Sequence, residues 1–325
     1  MCAGFPTVTS QRIPDSLSST TMTCPLCGSK ELAYRFTAHD YLVTGDPFSV
    51  LFCPTCDLGV TDPRPPLHQM DQYYQSEAYI SHAGSSRGLM ERVYFLARRM
   101  TIAWKCRLVR RASKKRGSIL DVGCGSGAFL SGMQRRGWRV LGIEPNDKAR
   151  QIAIRDRALD AREPSALESL PSDSVDVITL WHVLEHMSDF RKALKDCLRL
   201  LKPDGKILIA VPNHRSSDAE YYGPDWAALD VPRHLFHFSP PAMALLFRQQ
   251  SLDLMGKRFL PLDGFYIALL SDGNRQTRCK IFHALWIGLR SFAQSLFHVD
   301  QASSVLFIGQ KKEQSGRLFQ LTLKN

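Results

Sequence analysis

Apolar and polar positions follow two rhythms along the chain, and the change between them divides it. Near the start, Leu32, Tyr34 and Phe36, then Phe48, Val50 and Phe52, alternate with other residues. That two-residue period predicts strands with one buried face. From Leu89 the period lengthens: Leu89, Val93, Leu96, Met100, Trp104 and Leu108 recur every three or four residues, predicting an amphipathic helix with Arg and Lys on its other face. After Gly117 apolar runs and helical stretches take turns. Strands are expected at 118–122, 138–143, 175–180 and 206–211, and helices at 128–136, 147–157 and 189–201. Strand, helix, strand in this rhythm predicts an α/β fold with a doubly wound, mostly parallel sheet. Ser239 before Pro240 and Pro241 opens a further helix, since serine caps and proline suits the first turn. Strands at 252–259 and 303–309 close the pattern. Residues 261–302 between them read as a helical insertion before the last strand, with Ile281, Leu285, Leu289, Phe292 and Leu296 in register.

Four regions follow. Residues 1–20, rich in Ser, Thr and Pro without periodicity, read as a flexible tail. A small module spans 21–62. Residues 63–116 hold a connector, with Pro63, Pro65, Pro66, Tyr73, Tyr74 and Tyr79, and then the basic helix. Residues 117–325 form the large domain, within which 212–239 leave the carboxyl end of the sheet as an active-site segment. At 325 residues, 44% hydrophobic and 22% charged, the chain has length for a full core, which excludes a fibrous or mainly disordered protein. No apolar run reaches the ~18 residues of a membrane span, and the start lacks a basic then apolar leader. The expected location is cytoplasmic, at most peripheral at the inner face of the membrane.

Charge changes the picture in one place. Lys and Arg number 42 against 31 Asp and Glu, and eleven of the cations fall between Arg87 and Arg116 with Glu91 the only acid. Such a stretch suits an anionic membrane surface, nucleic acid or a phosphorylated substrate, or else is a solvated helix face. Cysteine usage adds a metal. Cys24-Pro-Leu-Cys27-Gly and Cys53-Pro-Thr-Cys56 are two C-x-x-C knuckles 25 residues apart. Four thiolates in two chelating turns satisfy tetrahedral zinc and leave no open position, so the expected site is a structural zinc ribbon; incidental thiols or redox pairs are the alternative.

The most specific signal is Asp121-Val-Gly123-Cys124-Gly125-Ser-Gly127, after an apolar strand and before a helix. Glycines permit the tight turn and close approach of backbone to ligand. The order is G-x-G-x-G with an acid two positions ahead, not the dinucleotide G-x-G-x-x-G. A pyrophosphate wants only backbone N–H groups, whereas an aminoacyl group carrying an ammonium also wants a carboxylate. On these residues, 119–311 resembles the class I S-adenosylmethionine-dependent methyltransferases. The resemblance implies a seven-stranded Rossmann-like sheet whose loop, Asp121, Gly123, Cys124, Gly125 and Gly127, cradles the methionine part of the cofactor. It further implies that Glu144, in Leu-Gly-Ile-Glu144-Pro, binds the ribose diol, that an adenine loop lies near 165–167 and includes Leu167, and that Leu180 belongs to the same pocket.

Leu180-Trp181-His182-Val183-Leu184-Glu185-His186 contains the H-x-x-E-H of a zinc peptidase class, which requires a helical context and a further ligand. Here it follows a parallel strand. The stretch is similar to one ending in Leu-Glu-His that lines the active site of ubiquinone-pathway O-methyltransferases, some of which are proposed to hold a divalent metal there; His182 stands where those relatives carry a carboxylate. The segment Asp230-Val-Pro-Arg233-His234-Leu-Phe-His237-Phe-Ser239 resembles one in small-molecule methyltransferases. The expected catalytic residues are His234 or His182 as base, with Glu185 and His186 orienting it or holding a metal and Tyr222 and Trp226 covering the substrate. A structural His234 bonded to backbone is the competing reading. The expected acceptor is a small molecule, a saccharide or a lipid-linked compound, methylated on oxygen or carbon. A zinc ribbon with a basic helix also resembles some ribosomal RNA methyltransferases, so RNA is the alternative acceptor, and a non-catalytic cofactor-binding scaffold is a third reading. The absence of an acid or Asn before Pro-Pro-aromatic after the fourth strand argues against methylation of base amino groups.

Overall fold

The structure is a computed structural model that describes residues 22–74, 89–113 and 115–312. The expected tail, Tyr79, Arg87 and Lys114 lie outside the described residues.

Strands β1 (Ala33–His39), β2 (Pro47–Phe52) and β3 (Gly59–Asp62) form an antiparallel meander. Helix α1 (Leu67–Tyr73) follows, and Tyr73 packs edge-on against Phe48 at 6.0 Å. Helix α2 (Leu89–Ser113) is the basic helix. The α/β part then runs β4 (Ser118–Val122), α3 (Ala128–Gln134), β5 (Arg139–Ile143), α4 (Asp147–Arg157), β6 (Ala161–Arg162), α5 (Ala166–Ser169), β7 (Val175–Trp181), α6 (Phe190–Leu200) and β8 (Leu201–Pro212). After α7 (Ser217–Tyr222) and β9 (Phe236–His237) come α8 (Pro240–Gln249), β10 (Leu252–Phe259), α9 (Asp263–Asn274), α10 (Lys280–Phe297) and β11 (Ser304–Lys311). Helix starts match capping residues: Asn146 accepts from the Ala149 amide, Asp189 from Lys192 and Ser239 from Ala242.

The large sheet has seven strands in the order β10-β11-β8-β7-β4-β5-β6. Strands β8, β7, β4, β5 and β6 are parallel; β11 is antiparallel to both of its neighbours, β8 and β10, so β10 runs in the common direction again. Central strands buried on both faces explain the near-continuous apolar runs at Ile119–Leu120 and 207–211. From β4 the chain first winds one way through β5 and β6, then returns to β7 on its other side. The carboxyl ends of β4 and β7 are therefore the switch point at which such sheets hold ligands.

The small module is not a separate ball. Its meander gains β9, a piece of the active-site segment, as a fourth antiparallel strand, with Gly59 opposite His237 and Val60 opposite Phe236. One apolar cluster runs from Leu26, Val50 and Leu58 through Phe236 and Phe238 to Phe307.

Two helices differ from their expected faces. In α2, Leu96 and Met100 are 58% and 56% exposed, whereas Cys106, Leu108 and Val109 are buried and Lys105 turns inward. The stripe that packs is rotated because the sheet, not the helix alone, chooses it. The insertion holds two helices, α9 and α10, and in α10 Ile281, Leu285, Leu289 and Leu296 face outward. Its inner face is Ala284, Ile287, Gly288, Ser291 and Ser295. Close packing on α9 dictates this: a Cβ on Gly288 would lie 2.4 Å from the Phe265 ring. Among the described residues no helix is long and apolar enough to cross a membrane.

Candidate active site

The cofactor cradle is built by the turn from β4 into α3. Gly123, Gly125 and Gly127 all have positive φ, at 72°, 54° and 75°. A Cβ at Gly123 would meet Val183 at 2.4 Å and one at Gly127 would meet Leu159 at 2.3 Å, so neither position accepts a side chain. At Gly125 a Cβ would meet nothing within 4 Å, leaving room over the loop for a ligand. Glu144 closes the cradle from the end of β5. Its carboxylate accepts from the amides of Gly125, at 2.8 Å, and Asn146, at 2.9 Å, which pins both oxygens beside the loop.

Asp121 is buried and accepts from the Thr179 hydroxyl at 2.5 Å. Burial pushes its carboxyl up to about 7, against the pull of that hydrogen bond and of Lys105. Lys105, counted in the sequence among solvated cations, lies inside: its ammonium sits 4.4 Å over the Trp181 ring, and burial lowers its pKa against the opposing pull of Asp263 and Asp121. The signal was present, because Lys105 occupies a position between Ile102, Cys106 and Val109 on a helical stripe that is otherwise apolar.

Other expected cofactor residues stand further back. The Cys124 side chain turns into the core against Gly142, and burial lifts its thiol to about 12, so only its backbone belongs to the cradle. Leu167 lies in α5 with its carbonyl taken by Arg199 at 2.7 Å. Leu180 is fully enclosed in the sheet and supports the pocket from behind.

The acceptor side begins where β7 ends. His182 has φ 58°, a left-handed backbone that swings its ring onto Asp263 at the start of α9, with Nε2 3.0 Å from the carboxylate. Burial alone would lower the His182 pKa, but Asp263 and then Glu185 raise it to about 9. With Asp263 at Nε2 and Glu185 3.5 Å from Nδ1, both ring nitrogens of His182 face carboxylates, an arrangement that favours the imidazolium and speaks against its expected role as base. Glu185 is 1% exposed, and neither of its carboxylate oxygens has a hydrogen-bond partner among the described residues. Burial pushes it up, yet His182 and His234 beside it bring it below the usual carboxylate range. It is a buried anion held by ion pairs, with His182 Nδ1 at 3.5 Å and His234 Nε2 at 4.0 Å.

Two imidazoles face it. His234 Nδ1 lies 2.9 Å from the Ala228 carbonyl, and His186 Nδ1 lies 3.0 Å from the Arg233 carbonyl. A carbonyl can only accept, so each ring donates through Nδ1, and Nε2 is the nitrogen left to face the cluster. The rings are 4.5 Å apart, and His234 Nε2 is 4.0 Å from Glu185. Burial and the neighbouring His234 lower the His186 pKa to about 4, keeping it neutral. Ligand atoms of Glu185, His186 and His234 fall within 4.8 Å of one another, a carboxylate and two imidazoles that can hold a divalent cation.

Distant segments lock this cluster. Tyr74, from the connector, reaches His186 Nδ1 at 3.2 Å. Arg233 is 1% exposed and pairs with Asp40 of the module at 2.9 Å and with Asp230 at 2.7 Å, while donating to the Tyr73 carbonyl. Thr61 of β3 donates to the His234 carbonyl at 2.7 Å. Tyr222 and Trp226, expected to cover substrate, are instead buried pillars bonded to the Ala268 carbonyl and to Asp218.

The four module cysteines converge, with Cys24 to Cys56 and Cys27 to Cys53 sulfur distances of 3.5 Å. The two knuckles are near copies: Gly28 donates to the Cys24 carbonyl and Asp57 to that of Cys53, and both donors have positive φ. The tetrad can hold one tetrahedral ion. It does not open on the acceptor cluster; it holds the sheet that does.

Sheet order, switch point and glycine turn define an open α/β fold of the nucleotide-binding kind, with its ligand edge at the carboxyl ends of β4 and β7. A methyltransferase domain family matches residues 96–255. The ubiquinone biosynthesis O-methyltransferase of Ralstonia nicotianae is 30% identical over 179 residues, 47% of this chain and 71% of the relative. That of Cupriavidus pinatubonensis is 28% identical over 191 residues, 51% and 72%. A methyltransferase structure from Archaeoglobus fulgidus covers 67% of this chain and 99% of its own at 18% identity and TM-score 0.45. The chain belongs to the class I S-adenosylmethionine-dependent methyltransferases.

Proposed function

We propose that the chain moves the methyl group of S-adenosylmethionine onto a hydroxyl of a small-molecule, saccharide or lipid-linked acceptor. The observation that carries this is the cluster of Glu185, His186 and His234 at the carboxyl end of β7, one residue from Val183, which packs on Gly123 of the cradle. The sulfonium already activates the methyl carbon, so the protein has to align the acceptor oxygen and remove its proton. His234 Nε2 takes that proton, with the Glu185 carboxylate stabilising the imidazolium that forms. The oxygen–carbon bond forms as the carbon–sulfur bond breaks, and the neutral demethylated cofactor leaves. Asp121 and Lys105 address the ammonium and carboxylate of the cofactor's aminoacyl end, and Glu144 accepts from its ribose hydroxyls. The names of the relatives support oxygen as the acceptor atom.

A second reading of the cluster is favoured by the unbonded Glu185 oxygens and the two Nδ1-anchored imidazoles: Glu185, His186 and His234 hold a divalent cation. Such an ion, when bound, lowers the pKa of an acceptor hydroxyl. In the module, Cys24, Cys27, Cys53 and Cys56 hold structural zinc. Transfer of labelled methyl to a panel of hydroxylated saccharides, phenols, lipids and RNA tests the function. Label in a hydroxylated compound supports it, and label in RNA alone overturns it. Activity lost to a chelator that leaves one zinc per chain, and restored by magnesium, selects the second reading.

A further inference from the structure

In α10 the usual order is inverted: small residues face the protein and large apolar ones face out. Phe282, Trp286 and Phe297 are 78%, 65% and 82% exposed, and Leu285, Leu289 and Leu296 are exposed beside them. At 100° per residue these six fall within an arc of about 120°. The back of the helix is committed to α9 through Ala284, Gly288, Ser291 and Ser295, so the outward face has no partner within the described chain. Charge sorts with it. From Arg275 to Phe297 there are four cations, Arg275, Arg278, Lys280 and Arg290, and no acid. Arg278, Lys280 and Arg290 are exposed, while Arg275 pairs with Asp225. At the turn between α9 and α10 a cleft of about 530 Å³ opens beside Lys280 and Phe282; the Asp272 carboxylate on its floor is taken by His283 at 2.8 Å.

We infer that α10 is an interfacial anchor that lays its Phe282, Trp286 and Phe297 face into an anionic lipid bilayer, with Arg278, Lys280 and Arg290 at the phosphate level. A helix with Trp, Phe and Leu on one side and cations at its edges partitions into the headgroup boundary, where rings are buried and cations meet anionic lipid. A second copy of the chain fits less well: facing two such helices brings their cations together with no acid in either to pair with them. The anchor is joined to the site through α9, whose first residue, Asp263, holds His182. The inference does not depend on which acceptor is methylated.

The full chain is sedimented with vesicles of phosphatidylcholine alone and of phosphatidylcholine mixed with phosphatidylglycerol. Binding to the mixed vesicles, weakened by salt, is expected. The combined Phe282→Ser, Trp286→Ser and Phe297→Ser variant should bind about tenfold more weakly or worse, with cofactor binding unchanged. Combined Arg278→Gln, Lys280→Gln and Arg290→Gln should remove the preference for anionic lipid. If the apolar variant does not fold, brominated lipid should quench tryptophan emission of the wild-type chain more than that of Trp286→Phe. Absence of vesicle binding overturns the inference. So does an apolar variant that binds like wild type while Arg92→Gln, Arg98→Gln and Arg99→Gln together abolish binding, which would move the surface to α2. Light scattering that shows wild-type dimers, split by the apolar variant, would assign the face to a second copy instead.

Discussion

The candidate cofactor cradle is made mostly within residues 121–146, from one turn and the strand next to it, and the hydrogen bonds of Glu144 run between neighbours in that stretch. The acceptor cluster is assembled from Tyr74, Glu185, His186 and His234, with Asp40, Thr61, Arg233 and Asp263 locking it. Local backbone geometry chiefly shapes the first, since three left-handed glycines are written into the sequence. Tertiary pairing shapes the second, since β9 must add to β3 before His234 and Arg233 are held. The cradle should therefore survive damage to the module that the acceptor side does not.

Predictions run from the largest effect down. His234→Ala should lower turnover by about 10²–10⁴-fold with cofactor affinity nearly unchanged, read by methyl-transfer kinetics and calorimetric titration. Equal losses in both would merge the two halves. If the four cysteines hold the proposed zinc, Cys56→Ser should lower the zinc content and misplace the β9 segment, costing about a hundredfold in turnover while cofactor binding persists. Elemental analysis with the same two assays checks it, and an intact turnover would mean that the module is not coupled to the site. Glu144→Ala should act in the reverse sense, weakening cofactor affinity by about 10–100-fold because two ribose hydroxyls lose a charged acceptor. The smallest effect is pH dependence. Burial holds Asp121 at about 7, so below that pH it is mostly protonated in the free enzyme. The cofactor's ammonium favours the carboxylate, so binding must then release a proton. Affinity should rise by up to about tenfold per pH unit toward 7 and flatten above it. Titration in buffers of different ionisation enthalpy measures the proton, and Asp121→Asn should remove the slope.

Much of this architecture was legible. Helix α4 runs over 147–157 as expected, because Asn146 caps it, and Ser239 before two prolines marked α8. The strand-turn-helix at Asp121 named its own ligand class through glycine spacing and an acid. Lys105 was legible only through its place on the stripe of Ile102, Cys106 and Val109, since a run of eleven cations otherwise reads as a solvated face. The surroundings of the two candidate bases were not legible: His234 donates through Nδ1 to the Ala228 carbonyl and leaves Nε2 on the Glu185 side, whereas His182 is held by Asp263, 81 residues away.

Hydrophobic periodicity showed that α2 and α10 are amphipathic, but not which side would be covered. Period reports that apolar side chains share a face; the neighbours decide whether that face is core. In α10 the inner face is mostly small, Ala284, Gly288, Ser291 and Ser295 with Ile287 beside them, so the other large residues are turned out. By itself the sequence determined what depends on contiguous backbone: the glycine cradle, the two cysteine knuckles, the capped helices and the alternating strands. Only the tertiary structure decided what depends on distant partners: β9 joining the module, Arg233 bridging Asp40 and Asp230, and Glu185 left as a buried carboxylate between two imidazoles. The physical reason is that local conformation follows from each residue's own φ and ψ preferences, whereas the protonation and pairing of a buried group follow from whatever the fold sets against it.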